Sequence, residues 1–496
     1  MAIFSPRAGL AEAAAPVSDR AGIARSRRRK AFSLVMRQDW PSSFLLLLLD
    51  VVGWLAIYSA VGFLRKDAFY AAPLQYLLVE GVQLAVLIQA LFVIGGYNRH
   101  TEMRSLTYTT EHILAAIGAA AISLAVVYSA ATFDSSMRPS RAVLLISFVV
   151  FTPFSLAYRR IVRRFVAAST ANRAFLVVGS GELAAEFYRA YRDSPNHQRL
   201  EFVGIEQERV GERIDGPGSP IIEGDIATKL ERLGDNYSGV ILAERVDHVR
   251  PELLQQLVRT QFQNTRVYTL ESFYEAYWKH VPVQSLDPFW PLQMGFQLAH
   301  ISLYHYLKRL FDVALSGALL VICSPMIALI TLLIWWRNGR PALFRQTRVG
   351  RERSLFTIYK FRTMTSREPS ESDDIYTRAN DPRITGLGRW LRKLRLDELP
   401  QLWNVLRGDM SLIGPRAEWI RCAERYEEKI PFYHFRHLVK PGITGWAQVN
   451  YPYGESDEDA IEKLKYDLYY IRHYSLKLDA MIVLKTVHTM LFGKGR

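Results

Sequence analysis

The sequence predicts a membrane protein of mixed class, a membrane α-helical part joined to α/β structure. Three observations lead there. Four apolar runs are each long enough to cross a bilayer, which takes about 20 residues. After them, at 174–192, an apolar strand, a glycine turn and a helical pattern open a stretch where strands and helices alternate. Further on, a fifth apolar run carries Ser324-Pro325 near its middle and basic residues on both flanks. Composition agrees, with 496 residues, 49% hydrophobic content and a net charge of +14, too long for one ordinary domain. Beside spanning-length apolar runs, that basicity suits anionic lipid and phosphorylated substrates rather than nucleic acid. Cys323 and Cys422 lie in no CxxC or metal-type spacing, so neither a disulfide nor zinc is expected.

Residues 1–41 are Ala-rich and then basic, and the first apolar run starts only after them. They read as a cytoplasmic tail rather than a cleaved signal peptide. Region 42–166 holds the four expected spans, Phe44–Leu64, Leu77–Tyr97, Ile113–Phe133 and Ala142–Val162. RSRRRK (Arg25–Lys30) precedes the first span and YRRIVRRF (Tyr158–Phe165) follows the fourth. Arg99, His100 and Arg104 lie between the second and third. This distribution of charge puts both ends of the four-helix unit in the cytoplasm.

Region 173–280 reads as a Rossmann-like α/β domain with a parallel sheet. It opens with AFLVVGSGELAAEFYRAY, and more strand-like runs follow at Phe202–Ile205, Gly239–Ala243 and Arg266–Leu270. The turn at Gly179 and Gly181 reads GxGxxA, a loosened dinucleotide fingerprint, and Glu206 stands where a ribose-binding acid would be expected. The pattern is common in domains that bind no cofactor, and none is expected here. Residues 281–304 read as a linker.

The run from Val313 to Trp336 is long enough to span. Proline in its middle removes a helical hydrogen bond and favours a kink. Lys308 and Arg309 before it, and Arg337, Arg340 and Arg345 after it, favour both flanks being cytoplasmic. The expectation is a re-entrant helical hairpin at about 312–336, broken at Ser324 and Pro325. The alternative is a proline-kinked spanning helix.

Residues 305–496 form the last domain. RWLRKLRL (Arg389–Leu396) interleaves Trp390, Leu391 and Leu394 with cations, which suits a helix at headgroup level. Immediately after it, Asp397 and Glu398 stand at the start of an expected helix, with Pro400 fitting its first turn and Gly408 its far end. A helix start attracts phosphate, and a carboxylate there can attack phosphorus while its neighbour or Mg²⁺ neutralises charge. The plain alternative is an acidic N-cap. Asp312 is expected to form a structural ion pair with Lys308 or Arg309. His434 and His437 are expected to be structural, because no carboxylates stand at ligand spacing.

Seven ordered blocks resemble one known family. They are KRLFD (Lys308–Asp312), the Ser324-Pro325 break, FRQTRVGR (Phe344–Arg351), YKFRTM (Tyr359–Met364), NDPRITGLGRWLR (Asn380–Arg392), LDELPQLWNVLRGDMSLIGPR (Leu396–Arg416) and KPGITGWAQVN (Lys440–Asn450). Across about 305–496 the chain resembles the bacterial sugar transferases, the monotopic polyprenyl-phosphate phosphoglycosyl transferases. Its upstream architecture is similar to long-form members that initiate exopolysaccharide, capsule or O-antigen assembly.

The resemblance implies transfer of a sugar-1-phosphate from a UDP-sugar, glucose or galactose being the expected sugar, to undecaprenyl phosphate with release of UMP. It implies Asp397 as nucleophile, Glu398 assisting it or holding Mg²⁺, and a metal site on these two carboxylates. It also implies a bacterial inner-membrane protein with its catalytic and α/β domains facing the cytoplasm. Arginine grips phosphate oxygens in pairs, so Arg383 and Arg416 are the first candidates for the diphosphate, followed by Lys360 and Arg362. Four helices with an attached domain could support a homodimer. Two rival readings are an NAD-dependent nucleotide-sugar enzyme and a non-catalytic membrane scaffold. The first lacks a Tyr-x-x-x-Lys after the fingerprint, offering only Tyr277 and Lys279, and the second leaves the DELPQL and GPR blocks without a purpose.

Overall fold

The structure is a computed structural model. It describes residues 39–492, except 66–72, 99–100, 131, 133–139, 171–172, 195–197, 206–208, 225, 232, 234–236, 263–264, 287–289, 293–302, 366–380, 452–453 and 455. RSRRRK and Glu206 therefore lie outside the described residues. The chain divides into two compact units, one made of residues up to 88, 95–103 and 122–171, the other of 89–94, 104–121 and 172 onward.

Four apolar helices form where the hydropathy places them. They are α1 (Asp39–Leu64), α2 (Pro73–Val93), α3 (Leu106–Ala130) and α4 (Arg141–Thr170). In the first unit α1 packs along α4 through Trp54, Tyr58, Phe148 and Phe151, all buried. Beside this aromatic seam Asp50 meets Arg159 at 2.7 Å, both fully buried, and the Tyr97 hydroxyl donates to Asp50 at 2.7 Å. A lone charge at that depth would be costly, so each ion makes the other tolerable.

The second unit contains a five-stranded sheet. Its strands are β1 (Ala174–Val178), β2 (Arg199–Val203), β3 (Ile222–Glu223), β4 (Tyr237–Leu242) and β5 (Val267–Thr269), in the order β3-β2-β1-β4-β5. Every pairing is parallel. β1 is AFLVV with all five residues buried, as a central strand covered on both faces must be. Between strands run α5 (Glu182–Arg192), α6 (Ile226–Glu231) and α7 (Pro251–Phe262). Gly179 has φ +137°, and a Cβ there would stand 2.5 Å from the Ala243 carbonyl oxygen, so only glycine lets β1 turn so close to the end of β4. The Glu244 carboxylate lies 3.4 Å from the Cβ position of Gly181, the residue that caps α5, and Arg209 donates to the Ser180 carbonyl. Protein groups of both signs thus border this turn.

The segment read as a linker contributes Val281, Val283, Leu286 and Trp290 to the core of the last domain. There the Trp446 indole donates to the Lys279 carbonyl at 2.8 Å, and Arg472 meets Glu275 at 2.8 Å.

The run expected to be a hairpin is one continuous helix, α8 (Leu303–Asn338), with Pro325 inside it. Proline deletes a single backbone bond, the Ser324 hydroxyl donates to the Val321 carbonyl at 2.8 Å, and helix continues on both sides. Middle residues Val321 and Ile322 are exposed, whereas Ile330 and Ile334 are buried against Phe361 and Leu391. Near its start, Asp312 does not pair with Lys308 or Arg309. It accepts the Ser411 hydroxyl at 3.1 Å and the Leu412 N–H at 3.0 Å, while Lys308 pairs with Asp479. Arg309 donates to the carbonyls of Val405 and Leu406 at 2.7 and 2.9 Å. Helical spacing puts Lys308 and Arg309 within reach of Asp312, but each is drawn to a partner on another element, Asp479 or the carbonyls of α10.

After α8 come an antiparallel pair, β6 (Leu343–Val349) and β7 (Leu355–Phe361), then α9 (Gly386–Lys393) and α10 (Gln401–Arg407). A short parallel pair follows, β8 (Ser411–Ile413) and β9 (Gly442–Thr444), with α11 (Ile420–Lys429) between its strands. The chain closes with α12 (Trp446–Asn450), α13 (Asp457–Arg472) and α14 (Leu476–Phe492). Cys323 and Cys422 are both free thiols.

Candidate active site

Asp397 and Glu398 lie in a single 3₁₀ turn, Leu396–Glu398, directly ahead of α10. Arg395 starts that turn with φ +56°, Pro400 caps α10, and Gly408 ends it with φ +100°. Pro400 and Gly408 thus stand at the two ends, as their backbone preferences require. In a 3₁₀ turn successive side chains diverge by about 120°, so the two carboxylates face different surroundings.

Glu398 points inward and is 8% exposed. Lys360 Nζ lies 3.1 Å from its Oε1, Arg416 Nη1 at 3.6 Å and Arg395 Nη1 at 3.9 Å. Burial opposes its charge, but these three cations outweigh that and hold its carboxyl at about 2. Asp397 is half-buried and makes no hydrogen bond or ion pair among the described residues. Burial and the neighbouring Glu398 charge raise its pKa above the usual aspartate value, against the pull of Lys360, Arg392 and Arg395. Two adjacent carboxylates are thereby pushed apart in proton affinity, the pattern of paired groups with separate tasks.

Local structure explains how the cations arrive. Lys360 is on β7, and β7 is clamped to α10 by buried Asn404, whose amide donates to the Thr357 carbonyl at 2.8 Å and accepts the Tyr359 N–H at 3.1 Å. Arg416 arrives in the GPR turn, which interlocks with the PGIT turn, and a Cβ on Gly442 would stand 2.1 Å from the Gly414 nitrogen. Two glycines pass backbone against backbone there, so both blocks need them.

The other two expected phosphate ligands are engaged elsewhere. Arg383 forks onto Asp381, with Nε at 3.0 Å and Nη2 at 2.6 Å. Arg362 donates to the carbonyls of Asn338, Gly339 and Arg340, tying β7 to the end of α8. His437 is buried 3.5 Å from Glu427, and burial with nearby cations lowers it to about 3. His434 is exposed.

Sequence reasoning missed three contributors. Arg392 and Arg395 were read as headgroup cations or a solvated face, yet both act on Asp397, and Arg392 donates to the Thr363 hydroxyl at 2.9 Å. Their spacing, five and two residues before Asp397, was the available signal. Gln401, one turn after Asp397, is buried with an unpartnered Nε2.

Residues 303–493 match the family model described as bacterial sugar transferase. The exopolysaccharide production protein PSS of Rhizobium leguminosarum bv. phaseoli is 41% identical over 195 residues, 38% of this chain and 98% of that protein. The chain belongs to the bacterial sugar transferase family. Its blocks SLIGPR and KPGITG, quoted from sequence as two motifs, are one interlocked structure. A UDP-N-acetylgalactosamine-undecaprenyl-phosphate N-acetylgalactosaminephosphotransferase of Aeromonas hydrophila is 37% identical over 259 residues, 52% of this chain and 60% of that protein. A UDP-glucose:undecaprenyl-phosphate glucose-1-phosphate transferase of Escherichia coli is 42% identical over 193 residues, 38% of this chain and 41% of that protein. Matches to these two longer sugar transferases thus span 60% and 41% of their length.

Proposed function

We propose that this sugar transferase moves a sugar-1-phosphate from a UDP-sugar to undecaprenyl phosphate, releasing UMP, as the first membrane step of a surface polysaccharide. The observation that carries the reading is the division between the two carboxylates. Glu398 is neutralised by Lys360, Arg416 and Arg395, whereas Asp397 has no hydrogen-bond or ion-pair partner among the described residues and an elevated proton affinity. A more basic carboxylate is the better nucleophile once ionised.

On this reading an Asp397 oxygen attacks the sugar-linked phosphorus. The bond from that phosphorus to the bridging oxygen breaks and UMP leaves with the electron pair. The sugar phosphate stays on Asp397 as an acyl phosphate. An oxygen of undecaprenyl phosphate then attacks the same phosphorus, and the Asp397 carboxylate departs. Lys360 and Arg416 hold positive charge beside the reacting diphosphate, and the unpartnered Gln401 amide supplies a donor one turn away. Asp397 and Glu398 would hold Mg²⁺, which when bound would neutralise diphosphate charge. Of the two, Asp397 is the carboxylate open to such an ion, since it makes no hydrogen bond or ion pair among the described residues.

The proposal extends to topology. Arg309 and Asp312 near the start of α8 and Ile330 and Ile334 near its end are all packed on the last domain. A helix that crossed the bilayer would hold its two ends on opposite sides, so these contacts favour both ends of this continuous, proline-containing helix lying on one side of the membrane. Exposed Trp390, Leu394 and Trp403 suit contact with the membrane surface. The upstream parallel sheet has the strand order of a Rossmann-like domain, with its glycine turn bordered by Glu244 and Arg209.

The test is UMP release by the full-length protein with Mg²⁺, undecaprenyl phosphate and a panel of UDP-sugars that includes glucose, galactose and N-acetylgalactosamine. Release with one donor, lost in Asp397→Asn, establishes the reaction and the sugar together. Silence from folded protein with every donor would refute it and favour a scaffold.

A further inference from the structure

Arg416 lies on a stretch, residues 415–418, that belongs to no helix or extended strand. Its four successive carbonyls nevertheless all accept hydrogen bonds from elsewhere in the fold. The Gly442 N–H donates to Pro415 at 2.8 Å, and Arg436 Nη2 donates to Arg416 at 3.1 Å. Arg348 Nη1 donates to Ala417 at 3.0 Å, and the Val349 N–H donates to Glu418 at 3.1 Å. Backbone without a ladder of its own is fixed only by such outside donors.

Arg436, in the short 3₁₀ segment Tyr433–Leu438, is buried. Its Nη2 also donates to Asp467 on α13 at 2.9 Å, and Asp467 is 1% exposed. Its Nη1 donates to the Tyr433 hydroxyl and lies 3.6 Å from Glu418 Oε1. Burial opposes the Glu418 charge, but Arg436, Arg348, Arg416 and Lys463 hold its carboxyl below the usual glutamate range. Apolar residues of similar volume usually serve a core as well as a buried ion pair does. What they could not supply here is the donor to the Arg416 carbonyl. That carbonyl belongs to the residue whose Nη1 stands 3.6 Å from Glu398.

We propose that Arg436 is a positioning residue for sugar-phosphate transfer. It is buried away from substrate, and it fixes the Arg416 backbone so that the Arg416 guanidinium meets the diphosphate beside Glu398. This role rests on the function proposed above.

UMP release is measured for four full-length proteins: wild type, Arg416→Gln, a paired variant carrying Arg436→Met and Asp467→Leu, and all three changes combined. The paired change removes both buried charges, so neither is stranded as it would be in Arg436→Met alone, and Glu418 keeps Arg348 and Lys463 beside it. Arg416→Gln and the paired variant should each lower kcat/KM about 100-fold, the effect of a displacement near 1 Å at the reacting group. The combination should fall no more than about threefold below the weaker of the two, because both act through one guanidinium. Arg436→Lys keeps a charge opposite Asp467 and replaces the paired variant in the same cycle if that variant does not fold. Losses that multiply to about 10,000-fold are what independent structural damage would give. Such losses, or a paired variant as active as wild type, would overturn this role and leave the transfer reading intact. Silence from folded wild type with every donor would instead sink that reading, and this role with it.

Discussion

Lys360 Nζ lies 3.1 Å from Glu398 Oε1, joining a strand residue to a carboxylate 38 positions away in a largely buried pair. Removing one partner of such a pair strands the other charge. Lys360→Met is expected to destabilise the protein by about 3 kcal/mol and to cut transfer at least 100-fold, about 2.7 kcal/mol of barrier. Thermal unfolding and UMP release measure the two effects. A variant with full activity would remove Lys360 from the site.

Asp397→Asn should separate chemistry from folding. Among the described residues the side chain has no hydrogen-bond or ion-pair partner to lose, so the melting temperature should hold within about 2 °C, less than a 1 kcal/mol change would produce in most domains. Transfer should fall about 1000-fold or more, roughly 4 kcal/mol. Hydroxylamine-labile label from a donor carrying ³²P at the sugar-linked phosphorus should accumulate on wild type without acceptor and not on the variant. Labelling of the variant would place the nucleophile elsewhere.

Glu398 gives the acid limb a direction. Its folded pKa of about 2 is below the usual glutamate value of 4.5, so the stability it contributes is fully present above about pH 4.5. That contribution drains as pH falls from there toward 2. Glu398→Gln should flatten this part of the stability-versus-pH curve, which denaturant melts at successive pH values would show. An unchanged slope would mean the cations do not hold Glu398 ionised.

Arg362 should behave as a structural residue. Its guanidinium binds the last carbonyl of α8 and the two that follow it, so Arg362→Ala is expected to cost about 1–2 kcal/mol of stability with KM for the UDP-sugar unchanged. A several-fold rise in KM with no change in melting temperature would return it to the phosphate-binding set.

The path of α8 can be read by labelling. In a variant without Cys323 and Cys422, single cysteines at Tyr306 and Arg340 should both resist an impermeant thiol reagent added outside intact cells and react after permeabilisation. Labelling of the Arg340 position alone from outside would require a spanning helix.

The sequence by itself determined the four apolar helices, the parallel α/β alternation, the ends of α10 and the adjacency of Asp397 and Glu398. Each is a local matter of apolar length, strand-and-turn order or a backbone preference of proline and glycine, legible within about 20 residues. Tertiary structure alone decided which carboxylate is neutralised and which is left without a hydrogen-bond or ion-pair partner among the described residues. It also separated Lys360, which reaches Glu398, from Arg362 two residues on, which caps α8, and assigned Lys308 to Asp479 rather than to the nearer Asp312. A charged side chain goes wherever the fold brings an opposite charge or an unpaired carbonyl within about 3 Å. Those partners come from strands, turns and helices tens to more than a hundred residues distant, a distance no local pattern encodes.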